Sequence, residues 1–282
     1  MDNKALENIT NSKIENLSIN INCKKAVVVV GGSSGIGYHV AKIFSQKGIT
    51  VYNLSRRSCD IDNVKNIICD VSNGVQLRQA FESITQPISV LIYSAGFSMA
   101  APVEYAKEED YKYLFEVNFF GMLKSVQYVL PKMKQSGGNI VVVSSIGGVV
   151  PIFFDSFYSA SKAGVDMFVK ACSYELKKYN ICITSVQPGG TKTDFTFKRK
   201  VYPDSSVGDY AQDMKQAVSM LSAIEQRGME AKKVAKIIYD VTQKSNPPLT
   251  ITCGVTNKAI KTFDRVLPTK AVVGLFKSIY YN

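Results

Sequence analysis

The stretch Lys25-Ala26-Val27-Val28-Val29-Val30-Gly31-Gly32-Ser33-Ser34-Gly35-Ile36-Gly37 decides the fold. Its valines run without a polar interruption, the pattern of a strand covered on both faces in a parallel sheet rather than a half-exposed one. The glycines after it let the chain turn tightly and let backbone N–H groups approach a pyrophosphate, which the start of a following helix also favours through its aligned peptide dipoles. A glycine-rich turn can also be a plain connection. A strand before it and a helix after it are the context that dinucleotide phosphate binding requires.

Working outward, apolar strand-like runs recur at Thr50 to Leu54, Asn66 to Cys69, Ser89 to Tyr93, Asn139 to Ser144, Ile181 to Gln187 and Leu249 to Cys253. Helix-length segments lie between them, at Tyr38 to Gln46, Val75 to Ile84, Asp110 to Lys134, Tyr158 to Tyr179 and Ala231 to Gln243. Parallel neighbours need crossover connections, so the alternation predicts a doubly wound, Rossmann-like α/β fold. The expected core is a predominantly parallel seven-stranded sheet with helices on both faces. Residues 1–22, rich in Asn and without a clear period, read as an N-terminal extension, and residues 23–282 as a single dinucleotide-binding catalytic domain.

The 282 residues are 46% hydrophobic and 20% charged, a soluble globular mixture that excludes disorder and collagen-like repeats. No apolar run reaches the roughly 18 to 20 residues of a membrane span, and the polar N-terminus lacks a signal-peptide core, so a cytoplasmic address is expected. Six scattered cysteines without a C-x-x-C pair read as reduced thiols, and a single histidine, His39, leaves no expected metal site. The formal charge of +11 is dispersed. Its short runs, among them Arg56-Arg57 and Lys198-Arg199-Lys200, read as solvated surface, and no nucleic-acid partner is expected.

Tyr158-Ser159-Ala160-Ser161-Lys162 puts a phenol and an ammonium on one helical face. A free tyrosine titrates near pH ~10, and nearby positive charge would lower it toward acid–base work at neutral pH. Ser144-Ser145 close a strand-like run at the carboxyl edge, where open α/β sheets bind ligands. Ser145 stands 13 residues before Tyr158.

From about residue 24 to 255 the chain resembles a classical short-chain dehydrogenase/reductase. The resemblance implies a G-x3-G-x-G cofactor turn at Gly31, Gly35 and Gly37, and an adenine-binding acid at Asp70. It implies a catalytic tetrad of Asn118, Ser145, Tyr158 and Lys162, with Asn118 holding a water for proton relay. Pro188, Gly189 and Thr193 match the loop that contacts the nicotinamide carboxamide, and Ser33, Ser34, Ile36, Val71, Ala95, Gly96 and Thr191 complete the implied cofactor surface. The implied reaction is hydride transfer between the nicotinamide and a carbonyl or carbinol carbon. Tyr158 would move the proton, Ser145 orient the oxygen, and Lys162 lower the phenol and bind the nicotinamide ribose. Relatives pair the helices around Asn118 and Tyr158 as homodimers or homotetramers.

Two departures stand out: Val30 replaces the usual Thr, and Tyr93-Ser94 the usual Asn-Asn, so hydrogen bonds that brace the turn and sheet are expected to be lost. NAD-specific folds place a carboxylate at the end of the second strand, whereas this chain has Ser55-Arg56-Arg57, suited to the extra phosphate of NADP(H). The family's lid corresponds to about residues 195–226. Its Phe197, Tyr202, Tyr210, Met214, Met220 and Leu221, with Phe153 and Phe154 elsewhere, point to an apolar carbonyl or alcohol substrate: a steroid, a retinoid, or a long-chain keto-lipid such as a 3-ketosphinganine. The basic and apolar segment 257–282 suits peripheral contact with an anionic membrane, although packing against the lid would use the same face. The rival readings are a non-catalytic NADP(H)-binding sensor or scaffold, which an intact tetrad argues against, and a sugar-nucleotide epimerase, whose glycine spacing differs.

Overall fold

In the computed structural model, which describes residues 25–281, the valine run forms β1 (Ala26–Val30), buried along its whole length. Next come α1 (Gly35–Gln46), β2 (Val51–Ser55), β3 (Val64–Ile68), α2 (Gly74–Glu82), β4 (Ile88–Tyr93) and the short β5 (Met99–Ala100). Then follow α3 (Glu108–Phe115), α4 (Gly121–Met133), β6 (Gly138–Val143), α5 (Ser156–Lys177), β7 (Ile181–Gln187), β8 (Thr191–Lys192) and β9 (Lys200–Val201). The chain continues through α6 (Ala211–Gln226), β10 (Met229–Glu230), α7 (Ala231–Thr242), β11 (Thr250–Thr252), α8 (Val255–Val266) and α9 (Thr269–Tyr281). The extension proposed for residues 1–22 lies outside the described residues.

Seven strands make one sheet in the order β11-β7-β6-β4-β1-β2-β3, with every neighbouring pair parallel. Alternate side chains serve opposite faces. Val27 and Val29 share a core with Val40 and Phe44 of α1 and Val234 and Ile238 of α7. Val28 and Val30 join the other core, with Phe81 of α2, Met122 of α4 and Val165 of α5. Each buried valine stabilises by roughly 1.5 to 3 kcal/mol, so a charge at any β1 position would be costly on either face.

From β1 the sheet grows one way through β2 and the other way through β4. The outgoing chains therefore diverge at the carboxyl ends of β1 and β4 and leave a crevice. Gly31 takes φ +86°, and a Cβ there would lie 2.6 Å from the Ala95 backbone nitrogen, so only glycine permits this approach of the two loops.

The helix expected over Asp110 to Lys134 is interrupted. Glu116–Phe120 forms a π-helical turn between α3 and α4. Its cause is non-local: the buried Tyr93 phenol donates to the Val117 carbonyl, and Asn118 exchanges hydrogen bonds with the Phe97 backbone, accepting from its N–H (3.0 Å) and donating to its carbonyl (2.9 Å). The widened turn turns Asn118 toward the crevice edge. Tyr93, which stands where the usual Asn would be, braces the π-helical turn instead. The lid segment holds β9, paired with β5, two short 3-10 turns and α6, and the C-terminal segment folds as α8 and α9, which the sequence patterning had not marked as helices.

Tyr93→Phe leaves the Val117 carbonyl without its donor in a dry site, and is expected to destabilise the protein by about 1 to 3 kcal/mol. Denaturant unfolding checks this; a midpoint equal to that of the parent would show that the phenol braces nothing.

Candidate active site

Two cavities meet at the crevice, sharing Ser94 and Gly96. The smaller, about 140 Å³, is bordered by Gly31, Ser33, Ser55, Arg56, Arg57, Asp70, Val71 and Ala95. The larger, about 410 Å³, is bordered by Ser34, Gly35, Ile36, Ser145, Tyr158, Lys162, Pro188, Gly189, Thr191 and Thr193. Nearly every residue expected to bind a cofactor therefore lies on one continuous groove. Gly37 does not border it: a Cβ there would lie 2.3 Å from the Gly31 carbonyl oxygen, so this glycine packs α1 onto the turn.

The residues lining this groove suit a dinucleotide. The turn starts α1 beneath it, and at Gly96 a Cβ would stand 3.1 Å from Asn118 Oδ1 and 3.5 Å from Lys162 Nζ, so the missing side chain leaves space between two polar groups. At the far end Arg56 Nη1 donates to Tyr113 Oη at 3.2 Å, on the surface. The Ser55 hydroxyl turns inward, donating to the Arg57 carbonyl at 2.6 Å and within 3.1 Å of Asn53 Oδ1, and so shapes the loop. Asp70 Oδ1 accepts from the N–H and hydroxyl of Ser72 at 2.9 and 2.7 Å.

β6 and α5 bring the reacting groups together. Ser145 follows β6 and its Oγ accepts from the Gly147 N–H at 3.0 Å, which fixes the hydroxyl at the strand end. Tyr158 is buried, with its ring 5.9 Å from that of Phe195. Burial pushes its phenol well above the ordinary value, against a hydrogen bond from Ser145 that favours ionisation. Lys162 Nζ donates to the Val143 carbonyl at 3.0 Å and sits 5.7 Å from the Tyr158 ring centre; burial lowers it to about 8. Lys162, expected to lower the phenol, here faces the Val143 carbonyl, and burial raises the phenol. Asn118 borders neither cavity; its side chain bonds Phe97 and, through Nδ2, Ser161 Oγ at 3.1 Å, so it positions the Gly96 loop.

The wall of the larger cavity is mostly apolar, with Val150, Ile152, Phe195, Leu221, Ile224 and Phe276. Three features escaped the sequence. The C-terminal helices contribute Asn257, Ile260, Ile279 and Tyr280. Asp155 and Glu225 also border the cavity, held by Arg199, whose side chain is 1% exposed. Arg199 thus corrects the reading of Lys198-Arg199-Lys200 as solvated. An acid placed among Val149 to Phe157 was the available signal for Asp155.

The sequence pattern of the short chain dehydrogenases matches residues 25–201. A 3-ketodihydrosphingosine reductase of Bacteroides thetaiotaomicron is 34% identical over 228 residues, covering 79% of this chain and 85% of that protein. An NADPH-dependent 1-acyldihydroxyacetone phosphate reductase of Saccharomyces cerevisiae is 29% identical over 240 residues, covering 79% of this chain and 80% of that protein. Among solved structures, a short-chain dehydrogenase from Streptomyces avermitilis superposes with a TM-score of 0.76 at 25% identity, covering 90% of this chain and 97% of its own.

Lys162 carries a pH prediction. Its folded value of about 8 lies below the ordinary 10.5, so between these the unfolded chain holds more protons at this residue and stability rises with pH. Melting temperatures of the protein and Lys162→Met, compared at about pH 7.5 and about pH 9.5, should show the parent gaining on the variant. A constant difference would contradict a buried, depressed lysine.

Proposed function

Because the chain belongs to the short-chain dehydrogenase family and is an oxidoreductase, we propose that it is an NADP(H)-dependent carbonyl reductase acting on a bulky apolar ketone, with a long-chain keto-lipid as the favoured class. The observation that carries this reading is the position of Tyr158 and Ser145 in an apolar-walled cavity that continues into a groove ending at Arg56 and Arg57. The two relatives named above, one a reductase of a 3-ketodihydrosphingosine and one NADPH-dependent, support its two halves.

When bound, the reduced nicotinamide supplies the hydride. Ser145 holds the substrate oxygen and donates more strongly as that oxygen gains charge. Tyr158 then gives it the phenolic proton. The phenol is protonated at neutral pH and so has the proton to give. Lys162 binds the cofactor ribose, and Pro188, Gly189 and Thr193 the carboxamide. Asn118 acts by positioning the Gly96 loop. Residues 195–226 serve as the substrate lid over a single catalytic domain.

Among the described residues no helix is long and apolar enough to cross a membrane. We place the protein in the cytoplasm, with α8 and α9 resting on an anionic membrane surface. Their exposed Val255, Phe263, Val266 and Leu275 stand beside Lys258, Arg265, Lys270 and Lys277, and the same helices border the cavity through Ile260 and Ile279. Exposed Met167 and Tyr174 on α5 suit pairing as a homodimer or homotetramer.

Tyr158→Phe is expected to lower turnover at least about a hundredfold with cofactor affinity nearly intact; near-parental turnover would sink the assignment. Steady-state kinetics with both reduced cofactors should favour NADPH, and Arg56→Ala should cut its kcat/KM about tenfold to a hundredfold through loss of charge-assisted hydrogen bonds. A parental preference for NADH defeats the cofactor assignment, and an unchanged NADPH preference in the variant defeats Arg56. The protein should sediment with anionic vesicles at low salt; its staying in the supernatant would reject the membrane contact, and a monomer by light scattering would reject pairing.

A further inference from the structure

Gln187 ends β7 immediately before Pro188-Gly189, and its buried side chain stands between two charged groups that the proton transfer does not use. Its Nε2 donates to Asp166 Oδ2 at 2.6 Å, and Asp166 Oδ1 accepts from the Ser185 hydroxyl. Its Oε1 accepts from Lys261 Nζ at 2.7 Å and from Thr252 Oγ1 at 2.9 Å, and the same ammonium lies 3.4 Å from Thr250 Oγ1. The anion therefore meets the N–H end of the amide and the cation meets its carbonyl end, the polarity in which the three groups strengthen one another. One carboxylate and one ammonium balance.

The two charges belong to different helices. Asp166 lies on α5, four residues beyond Lys162, whose ammonium it helps to keep charged. Lys261 lies on α8, a helix without one fully buried residue. Helices are held mainly by packing an apolar face, so α8 relies on its polar contacts for its place. Those contacts converge on the segment after β7. The Asn257 side chain lies against Gly189, where an added Cβ would be 2.3 Å from Nδ2, and that Nδ2 donates to the Cys253 carbonyl at 2.7 Å. The Pro188 carbonyl in turn accepts from the Ile146 N–H at 2.8 Å, next to Ser145. The loop is thus tied to the end of β6 by its backbone and to α8 at Gln187 and Gly189. Asn257, Pro188 and Gly189 all border the large cavity. Burial lowers the Lys261 ammonium, in keeping with a lysine turned inward from an otherwise exposed basic helix.

We propose that Lys261 and Asn257 of α8 position the Pro188-Gly189 loop for the nicotinamide end of the cofactor, which makes the C-terminal helix one wall of the cofactor site. This inference rests on the reading that Pro188 and Gly189 meet the nicotinamide carboxamide. Lys261 acts through Gln187, whose fixed amide sets where the loop leaves β7, and Asn257 acts through its contact with Gly189. Both are positioning residues. Neither serves the adenosine end, which is held in the other cavity at Arg56 and Arg57.

The test is calorimetric binding to the full chain, without turnover, of NADPH and of adenosine 2′,5′-bisphosphate, which keeps the adenosine end and lacks the nicotinamide. Lys261→Met removes a charged donor to Gln187 and should weaken NADPH at least about fivefold while the bisphosphate stays within about twofold of its parental affinity. Asn257→Ala should show the same split. Bisphosphate binding also reports that each variant is folded; should Lys261→Met not fold, Asn257→Ala decides in its place. NADPH affinity unchanged in the variants, or weakened no more than that of the bisphosphate, would overturn the role of α8 and leave the cofactor site standing. A parent protein that binds neither ligand would overturn both.

Discussion

The rest of the structure depends on the contact between Gly31 and the backbone at Ala95. Parallel strands buried on both faces require crossovers, and crossovers leaving β1 and β4 in opposite directions open the crevice. That crevice is narrow enough to be useful only if the two loops at its floor touch. Gly31 permits this by a left-handed backbone without a side chain, and Gly37 seats the first turn of α1 against the same loop. From there the arrangement follows: β6 ends at Ser145, α5 carries Tyr158 and Lys162 past it, and the loop after β7 closes the far side.

What the sequence disclosed is what depends on neighbours along the chain. Buried parallel strands such as β1 and β4 leave a local mark, an apolar run, and all seven strands were legible to within a few residues, β3 included although Lys65 and Asn66 interrupt it. So was the order of Ser145, Tyr158 and Lys162, because a strand end and one helical turn set their spacing. The π-helical turn at Glu116–Phe120 was not legible, since it depends on Tyr93 and Phe97 from another part of the chain. Arg199 was misread for a similar reason: its flanking lysines look solvated, and its burial depends on Ser98, Asp155 and Glu225 arriving from elsewhere. Spacing also identified Tyr158 without revealing how deeply it is buried, which raises its phenol. The C-terminal helices carry weak caps and a mixed surface, so their place on the cavity rim emerges only with the fold.

These features combine into one electrostatic design. A protonated phenol stands at the base of an apolar cavity, Ser145 favours charge on the oxygen beside it, and Lys162 is held by the Val143 carbonyl near Gly96. The low local dielectric makes each of these hydrogen bonds stronger than it would be in water and makes unanswered charge expensive. The same principle assigns roles to the polar groups that remain: Asn118 organises backbone, Arg199 organises carboxylates, and Arg56 and Arg57 stay at the surface, where a phosphate can reach them.

The central claim is that a carbonyl carbon in this cavity receives a hydride directly from the nicotinamide. Single-turnover reduction of a long-chain ketone with NADPH deuterated at both positions of nicotinamide C4, followed by mass spectrometry of the alcohol, measures that transfer. The account predicts one deuterium on the carbinol carbon and a slower turnover than with the unlabelled cofactor. An alcohol formed without the label would contradict it.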